Sequence, residues 1–535
     1  MPRRPPPSSS LSPEQSDTKH REIELKLQIT AADADKLQRH PLLKNYGVGK
    51  PQREDLLSTY YDTGDFALKD LHAALRVRRT SRGWLQTFKS GGEQHAALTR
   101  RNEWEAPVAG AALELDALRD LVGKQTYWGK FLRDADLQPV FTTEFTRTAW
   151  NLHLPGGHVV ELALDRGAVK HGRRQDAISE IELELKAGST YALFECALRL
   201  LETIPLQLGS LSKAERGYAL RHAKQAPKAL NAAVLQLQAD MTVEDAYRAI
   251  FSACLAQIEG NQAAVCRGED QEGLHQMRIG LRRLQSALDL FHSVIPVPPP
   301  LQEQLDWLSL HLGPARDWDV LARVTLAPLA RASGKGSDLY RLQRATLDIA
   351  RAMHHHLSAE IRSARFTALI LGCSAWLESS VWRVEDYRAR VRDDILYAPI
   401  TRFAQKCLKR SQRRVLARSK KLDIDDGRGC HKLRLATKAA RYDAEFFHSL
   451  YAAKPAKSAH AYWKTLVALQ DELGQGNDAE VADRLLQELA AARPELQASI
   501  SFARGHLRAD PDSRTRKLRH LLKRLEATPL PARKS

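Results

Sequence analysis

Cysteine is scarce in this chain of 535 residues, and the few cysteines show no close pairing. Disulfide-rich proteins and Cys-ligated zinc sites carry cysteines at short, regular spacings. The scattered arrangement fits a reducing cytoplasm and argues against a zinc site built from thiolates. The six cysteines are Cys196, Cys254, Cys266, Cys373, Cys407 and Cys430.

Long apolar runs are also missing. No stretch approaches the roughly 20 residues that a membrane span requires. Residues 1–20 are rich in Pro and Ser and lack the apolar core of a secretion signal. We therefore expect a disordered tail, a cytoplasmic protein and no membrane partner. A glycine-rich phosphate loop is absent as well, so the scattered glycines are interpreted as turn residues.

Positive charge, by contrast, is abundant. Lys and Arg number 81 against 64 Asp and Glu, which gives a net charge of +17. This balance predicts an anionic partner. Polyphosphate, nucleotide, nucleic acid and anionic lipid all remain open on charge alone.

The first 220 residues mostly repeat with the period of two that is typical of β-strands. Charged residues alternate with apolar ones, so one face of each strand carries carboxylates or cations. Eight such strands with polar inward faces predict a closed barrel with a charged lumen. The predicted strands span 21–28, 56–62, 73–80, 83–90, 100–107, 140–150, 157–165 and 178–186, with helical segments near 31–40 and 189–203.

After about residue 230 the period becomes 3.6, which indicates amphipathic helices. In this half His275-x-x-Arg278-x-x-x-Arg282 recurs as His431-x-x-Arg434-x-x-x-Lys438, and such a duplication predicts two related helical bundles. The predicted helices span 243–266, 270–293, 301–312, 338–360, 387–410, 430–450, 459–473 and 478–492.

These two periods predict an α+β multidomain protein with an all-α second half. The predicted divisions are a disordered tail (1–20), a barrel domain (21–223), a linker (224–240), a duplicated helical domain (241–525) and a second tail (526–535).

The charged strand faces suggest a specific ligand. Glu180, Glu182 and Glu184 share one face, where mutual repulsion is destabilising, and divalent metal ions would offset it. Arg76 and Arg78 concentrate positive charge in the same way. A metal–polyphosphate needs both kinds of group. The acidic candidates are Glu22, Glu24, Glu103, Glu105, Glu161, Asp165, Glu180, Glu182 and Glu184; the basic candidates are Lys26, Arg76, Arg78, Lys89, Arg101, Arg147 and Lys170.

The ordered motifs of this half resemble the CYTH superfamily, the triphosphate tunnel metalloenzymes. The resemblance covers about residues 20–222 and implies an eight-stranded antiparallel tunnel that binds Mg²⁺ or Mn²⁺. The motifs are Glu22-x-Glu24-x-Lys26, Tyr60-Tyr61-Asp62-Thr63, Arg76-x-Arg78, Glu103-x-Glu105, Asp165-x-Gly167 and Ser212-Lys213-Ala214-Glu215-Arg216-Gly217-Tyr218.

The resemblance and the strand pattern together imply residue roles. Metal would be held by Glu22, Glu24, Asp165, Glu180 and Glu182, with Glu103, Glu105 and Glu161 as further candidates. The catalytic cations that contact phosphate would be Lys26, Arg76, Arg78, Lys89, Arg101 and Arg147. Further substrate-binding residues would be Lys170, Lys213 and Arg216.

The helical half resembles the CHAD domain over roughly residues 240–525. The matching stretches are His275-Gln276-Met277-Arg278, Leu312-Gly313-Pro314-Ala315-Arg316-Asp317-Trp318-Asp319-Val320, His431-Lys432-Leu433-Arg434 and Lys438-Ala439-Ala440-Arg441-Tyr442. Two facing stripes of cations need an anion between them. The resemblance implies that this anion is inorganic polyphosphate, bound along a basic central groove. The candidates are His275, Arg278, Arg282, Arg283, His431, Arg434, Lys438 and Arg441.

Other groups in this half receive simpler interpretations. His354-His355-His356 is interpreted as a surface tract, and Asp317, Asp319 and Asp478 are expected to orient arginines or cap helices. The basic cluster between Arg410 and Lys421 either extends the groove or is simply exposed.

Three functions remain on this reading. The first is a metal-dependent inorganic triphosphatase whose second domain recruits polyphosphate, which leaves association with polyphosphate granules open. The second is a polyphosphate-binding scaffold with a weak tunnel activity. The third is a thiamine triphosphatase or class IV adenylyl cyclase, although no site for an organic group is evident. No nucleic-acid motif is recognised.

Overall fold

The computed structural model describes residues 20–95, 97–209, 211–221, 227–267, 271–379, 382, 394–420, 427–451, 457–507 and 511–531. The chain divides into two compact units, one up to residue 225 and one from residue 226. Among the described residues, no helix is both long and apolar enough to cross a membrane. Except for His20, the predicted N-terminal tail lies outside these ranges.

The first unit is a closed antiparallel β-barrel. Its strands are β1 (Arg21–Ile29), β2 (Gly47–Thr63), β3 (Ala74–Thr80), β4 (Gly83–His95), β5 (Leu98–Val108), β6 (Leu137–Leu154), β7 (His158–His171), β8 (Arg174–Ala187) and the short β9 (Leu206–Leu208). The order around the barrel is β5-β4-β3-β2-β6-β7-β8-β1, and pairing of β1 with β5 closes it. The predicted eight-stranded barrel is confirmed.

Strand alternation places charge inside this barrel and apolar side chains outside. On β1, Glu22, Glu24 and Lys26 face the lumen, whereas Leu25 and Leu27 are fully buried on the outer face. Several strands are longer than predicted. β2 begins at Gly47 because residues 47–54, although exposed and without alternation, still pair with β6.

Seven short helices surround the barrel and close one end. They are α1 (Ala31–Leu37), α2 (Pro41–Tyr46), α3 (Ala67–Asp70), α4 (Leu115–Val122), α5 (Tyr127–Asp134), α6 (Tyr191–Leu201) and α7 (Lys213–Arg221). α6 packs across β1, β7 and β8. α7 places Tyr218 against Tyr60, Phe141 and Phe145, and this apolar cluster fills one end of the lumen.

The described part of the second unit is helical, as predicted. Its helices are α8 (Val243–Gly260), α9 (Gln262–Arg267), α10 (Gln271–Phe291), α11 (Pro299–Asp319), α12 (Leu326–Ser333), α13 (Asp338–Ile361), α14 (Ala364–Ser379), α15 (Ile400–Ser419), α16 (Gly427–Phe446), α17 (Lys457–Ala492), α18 (Gln497–Leu507) and α19 (Pro511–Ala527). A π-helical turn (Val320–Thr325) joins α11 to α12. The repeated basic motifs lie on α10 and α16, which contact each other; the duplication itself stays a prediction.

The helix predictions for this unit differ from the structure in several places. The start of the predicted helix 387–410 lies outside the described ranges, and α15 extends past its end to Ser419; α12, α18 and α19 were not predicted. The expected break between 473 and 478 does not occur, because α17 runs through Gly474 without interruption. Leu473, just before the glycine, and Ala482, two turns after it, are buried, and Val481 packs against the same apolar core as Ala482. A glycine costs a helix only about 1 kcal/mol, which packing offsets. The helix α14 was missed because its residues are buried on nearly all sides and give no amphipathic period.

The predicted linker is partly anchored to the helical unit. Leu230 exchanges two hydrogen bonds of 2.9 Å with the Asn261 side chain, and the backbone N–H of Leu237 donates to Ser449 Oγ. Residues 222–226 lie outside the described ranges.

The contact between α7 and the barrel predicts an unusual effect of a glycine substitution. A Cβ added at Gly217 would lie 2.2 Å from the Phe141 ring, whereas one at Gly474 would meet nothing within 4 Å. Gly217→Ala should therefore destabilise the barrel by about 1–3 kcal/mol through overpacking. The control Gly474→Ala should stabilise the helical unit by about 0.5–1 kcal/mol. Thermal unfolding of each variant checks both signs, and a stabilised Gly217→Ala would contradict the packing described.

Candidate functional site

The lumen of the barrel holds a cavity of about 280 Å³ with charged walls. Seven carboxylates and eight cations line it, and all six cations predicted as catalytic are among them. The charged lining is Glu22, Glu24, Glu103, Glu105, Glu161, Glu182, Glu184, Lys26, Arg76, Arg78, Lys89, Arg101, Arg147, Lys186 and Lys213.

A buried carboxylate triad lies where β7 and β8 meet α7. Asp165 and Glu180 are opposite each other in the strand register, and like charges so placed repel. Lys213, from the first turn of α7, offsets this repulsion. Its Nζ lies 2.6 Å from Asp165, 2.5 Å from Glu180 and 2.9 Å from Glu182. Burial would raise the pKa of Glu182, but Lys213, Lys26 and Arg147 hold it well below its usual value.

A second charged cluster is built around β1, β4 and β5. Glu22 accepts hydrogen bonds from Lys89 and Arg101 at 2.8 Å, and Arg101 also contacts Glu24 at 2.7 Å. Lys89 reaches Glu103 at 2.9 Å. Although burial opposes ionisation, Lys89 and Arg101 keep the pKa of Glu22 below its usual value. Lys89 and Arg76 likewise hold the pKa of Glu103 below its usual value against burial, so Glu22 and Glu103 are ionised at neutral pH.

Arg78 is the least neutralised of the lumen cations that the structure describes, and Arg76 lies beside it on β3 with its pKa raised, against burial, by Tyr60, Glu103 and Glu105. The only carboxylate that Arg76 contacts among the described residues is Glu103, at 3.8 Å, and its Nε is buried without a hydrogen-bond partner. Arg78 donates to Ser58 Oγ at 3.2 Å and lies over the Phe145 ring. Burial, together with Arg76 and Arg147, lowers the pKa of Arg78 to about 10. Two neighbouring guanidinium groups are thus held where an anion would stabilise them.

The carboxylates suit a hard divalent cation. Asp165, Glu180 and Glu182 each offer an oxygen within 4.8 Å of the others, and such oxygens are the ligands that Mg²⁺ and Mn²⁺ prefer. Glu22 and Glu24 provide further oxygens on β1. The oxygen donors therefore fit the metal that the family resemblance implies, provided that Lys213 Nζ, which contacts all three triad carboxylates, moves aside when the ion binds.

Two predicted substrate-binding residues do not line the cavity. Lys170 lies on the opposite face of β7 from Asp165, is 43% exposed and pairs with Glu144. Arg216 contacts Asp176 at 2.7 Å and Glu180 at 3.4 Å, so it supports the triad from behind. The prediction omitted Lys186, which pairs with Glu184 at 2.6 Å; its even position matches that of Glu182 and Glu184, a signal that was available.

A second cationic pocket lies in the helical unit between α10, α11, α16 and α17. Arg278, Arg282 and Arg434 line it together with Asp317 and Asp478. Arg278 contacts Asp317 at 3.2 Å, so that acid orients an arginine as expected. The Nε of Arg434 is buried without a hydrogen-bond partner.

Lys438, one turn after Arg434 on α16 and outside the lining of the pocket, experiences the repulsion of the pocket's arginines most strongly. Burial, and then the charges of Arg282, Arg434 and Arg278, lower the pKa of the Lys438 ammonium to about 6. Burial, and then the charges of Arg278 and Arg434, lower the pKa of Arg282 to about 10. A cluster in which lysine prefers to lose its proton is poised to bind an anion.

Other groups predicted for this pocket have different environments. Arg283 is 1% exposed and pairs with Glu445 at 2.9 Å, so it faces the core. Arg441 also pairs with Glu445, at 2.8 Å. His431 is exposed, whereas His275 lies near Arg278 and Arg316. Arg316 belongs to the quoted motif, but it was not included among the predicted polyphosphate-binding residues.

The interpretation of the His354 tract as surface was wrong for its first residue. His354 is 4% exposed, and its Nε2 lies 2.8 Å from the buried Asp319. His354 continues the apolar side of α13 that includes Leu342, Ala350 and Leu357, so helical periodicity could have indicated its burial.

Comparison with known families agrees with both halves of this architecture. The CYTH domain family matches residues 20–218, and the CHAD domain family matches residues 249–487. The chain is a CYTH domain followed by a CHAD domain. The charged lumen thus belongs to the CYTH domain and the cationic pocket to the CHAD domain.

Two relatives resemble parts of the chain. An inorganic triphosphatase of Haemophilus influenzae is 34% identical over 203 residues, which are 37% of this chain. The match spans about half (54%) of that protein's length. A crystal structure of the CHAD domain from the plant Ricinus communis is 38% identical, has a TM-score of 0.51, and covers 57% of this chain and 99% of that one.

Because the pKa of Lys438 is lowered in the folded state, the free energy of unfolding of the CHAD domain should depend on pH. The unfolded lysine titrates near 10.5, so between pH 6 and 10.5 the folded domain binds fewer protons and gains stability as the pH rises. Lys438→Met removes the buried charge and should raise the stability near pH 6 by about 1–3 kcal/mol, while flattening the pH dependence. Lys432→Met, at an exposed position of the same helix, is the control. Calorimetry in which both variants behave alike would contradict the assignment.

Proposed function

We propose that the CYTH domain hydrolyses inorganic triphosphate to pyrophosphate and phosphate with the help of Mg²⁺ or Mn²⁺, and that the CHAD domain binds inorganic polyphosphate. The observation that supports the first half is the adjacent pair Arg76 and Arg78 in the lumen, in which burial, Arg76 and Arg147 lower the pKa of Arg78 to about 10. Arginine matches phosphate oxygens bidentately, and this pair lies between the two carboxylate-rich clusters.

The charge balance of the lumen supports metal dependence. The lining carboxylates, together with Asp165 and Glu180 behind them, nearly cancel the lining cations. A triphosphate entering alone would bring several uncompensated negative charges into a site with low dielectric. Divalent ions that enter with it restore neutrality.

On this proposal, the charged residues of the lumen have two roles. Asp165, Glu180 and Glu182, with Glu22 and Glu24, would hold metal. A bound divalent ion supplies charge neutralisation on the phosphate oxygens and lowers the pKa of water. Arg76, Arg78, Lys89 and Arg101 would orient the phosphates, because phosphoryl transfer depends mainly on positioning and electrostatic stabilisation.

The cavity supports an inorganic substrate over thiamine triphosphate or a nucleotide. The apolar cluster of Tyr60, Phe141 and Tyr218 fills one end of the lumen, and the charged walls of the cavity offer the groups that an inorganic triphosphate needs. Trp104 packs against Phe88 on the outside of the barrel. Turnover of triphosphate, long polyphosphate, ATP and thiamine triphosphate, compared with Mg²⁺ and with Mn²⁺, tests this ranking.

Replacement of one arginine by lysine distinguishes direct contact with the substrate from a general effect of positive charge in the lumen. Arg78→Lys keeps the charge but loses the bidentate geometry, so kcat/KM for triphosphate should fall about 10–100-fold. Arg79→Lys is the matched control, since Arg79 is the next residue of β3 and is exposed. Equal kinetics for the two variants would place Arg78 outside the substrate site. Activity that survives complete removal of divalent ions would contradict the metal requirement.

The second half of the proposal is supported by the cations of the CHAD pocket. Arg282, Arg434 and Lys438 come from two helices and have lowered pKa values that reflect burial and mutual repulsion. A linear polyanion would relieve this repulsion without any metal. Among the described residues that line the pocket, the acids are Asp317 and Asp478.

A fourfold substitution tests this pocket in the full chain. With divalent ions chelated, replacement of Arg278, Arg282, Arg434 and Lys438 by Ala should abolish binding of long polyphosphate. In the parent protein, binding should weaken steeply with salt through counterion release. The matched control replaces Lys409, Arg410, Arg413 and Arg414, four exposed cations of α15, by Ala. If the control lost binding and the pocket variant kept it, the α15 cluster would be the binding surface.

A further inference from the structure

A group of metal-ligand side chains lies in the CHAD domain outside the cationic pocket. His311 projects from α11, and His356 and Glu360 project from successive turns of α13. One ligand atom of each lies within 4.8 Å of the other two. The helices α11 and α13 pack directly against each other, so the three side chains meet across a helix–helix contact.

The distances within this group are too long for direct hydrogen bonds. The Nε2 atoms of His311 and His356 lie 3.9 and 4.0 Å from the same oxygen of Glu360. Hydrogen bonds between such atoms are about 2.7–3.2 Å long. Zn²⁺ binds histidine nitrogen and carboxylate oxygen at about 2.0–2.2 Å, so the ligands of one ion stand farther apart than hydrogen-bonded atoms do.

His311 is held in the form that a metal requires. Its Nδ1 lies 2.8 Å from the backbone oxygen of Trp307, and a carbonyl oxygen only accepts, so Nδ1 carries the proton. The lone pair of Nε2 then faces Glu360 and His356. A hydrogen bond from the remote ring nitrogen to a carbonyl is the common support of metal-binding histidines. The Trp307 ring, 5.1 Å away, also restrains the imidazole.

We propose that His311, His356 and Glu360 bind a divalent transition-metal ion of the Zn²⁺ class. Two imidazoles and one carboxylate are the ligands that such ions select over Mg²⁺. His356 is 62% exposed and His311 and Glu360 are 21% and 29% exposed. The exposed His356 can turn toward the ion, and water can complete the coordination.

This ion would clamp α11 to α13 close to the cationic pocket. α11 ends with Asp317, which contacts Arg278, and Asp319, which contacts His354 of α13. His356 follows His354 by two residues. A metal ion bound here should therefore stabilise the CHAD domain while it occupies neither the barrel lumen nor the cationic pocket.

Cobalt titration of the full chain tests this site. The protein is freed of metal, supplied with excess Mg²⁺ to occupy oxygen-rich sites, and titrated with Co²⁺ as a visible probe. One equivalent should bind with the absorption of an imidazole-ligated ion, and Zn²⁺ should displace it. His311→Ala, His356→Ala and Glu360→Gln should each weaken binding at least tenfold, whereas His355→Ala, at the exposed neighbouring histidine, should not.

Thermal unfolding supplies a second readout. Zn²⁺ should raise the melting temperature of the parent and of His355→Ala by a few degrees, because a ligand that binds only the folded state stabilises it. The increase should vanish in His356→Ala, whose exposed position makes misfolding an inadequate explanation. The proposal is overturned if the parent binds no Co²⁺ in the presence of Mg²⁺, or if the three ligand variants bind it as tightly as the parent.

Discussion

The burial of many opposite charges in one narrow lumen is the constraint on which the CYTH domain depends. An unpaired buried charge costs several kcal/mol, so each inward-facing group needs a counter-charge nearby. The strand register provides it, since Lys26 lies opposite Glu182 and Arg101 opposite Glu22. Where the register instead brings Asp165 against Glu180, Lys213 comes from α7 to separate them. The closing helix is thus part of the electrostatics of the site as well as of its packing.

The charge balance of the CHAD pocket is the opposite of that of the CYTH lumen. Its cations converge with few acids among them, and burial together with four neighbouring arginines lowers the pKa of Lys438 to about 6. Such a pocket costs stability until an anion occupies it. A balanced lumen suits a substrate that arrives with metal, whereas an unbalanced pocket suits a bare polyanion. On the proposed function, the two domains would therefore recognise phosphate chains through different charge balances.

Much of this arrangement could be predicted from the sequence because strand parity is local. The positions of Glu22, Glu24, Arg76 and Arg78 on the lumen face follow from alternation alone. The same rule would have excluded Lys170, which has the opposite parity from Asp165. The contact of Lys213 with three carboxylates could not be predicted by periodicity, because it joins residues more than 30 positions apart through tertiary packing.

The helical half was harder for related reasons. The continuous helix through Gly474 depends on packing at Leu473 and Val481 that no local propensity reveals. Arg283 lies next to Arg282 in sequence but points into the core toward Glu445. A basic stripe therefore identifies the face of a helix, and only the fold decides which of two adjacent arginines meets the ligand.

On the proposed function, the lumen accepts triphosphate and metal together, because its own charges nearly cancel. The direct test is the affinity for Mn²⁺ measured with and without a non-hydrolysable triphosphate analogue, and the affinity for the analogue measured with and without Mn²⁺. Binding linkage requires the two enhancements to be equal. We expect each ligand to tighten the binding of the other at least tenfold. Independent binding, with the same affinities in the presence and absence of the partner ligand, would contradict the account.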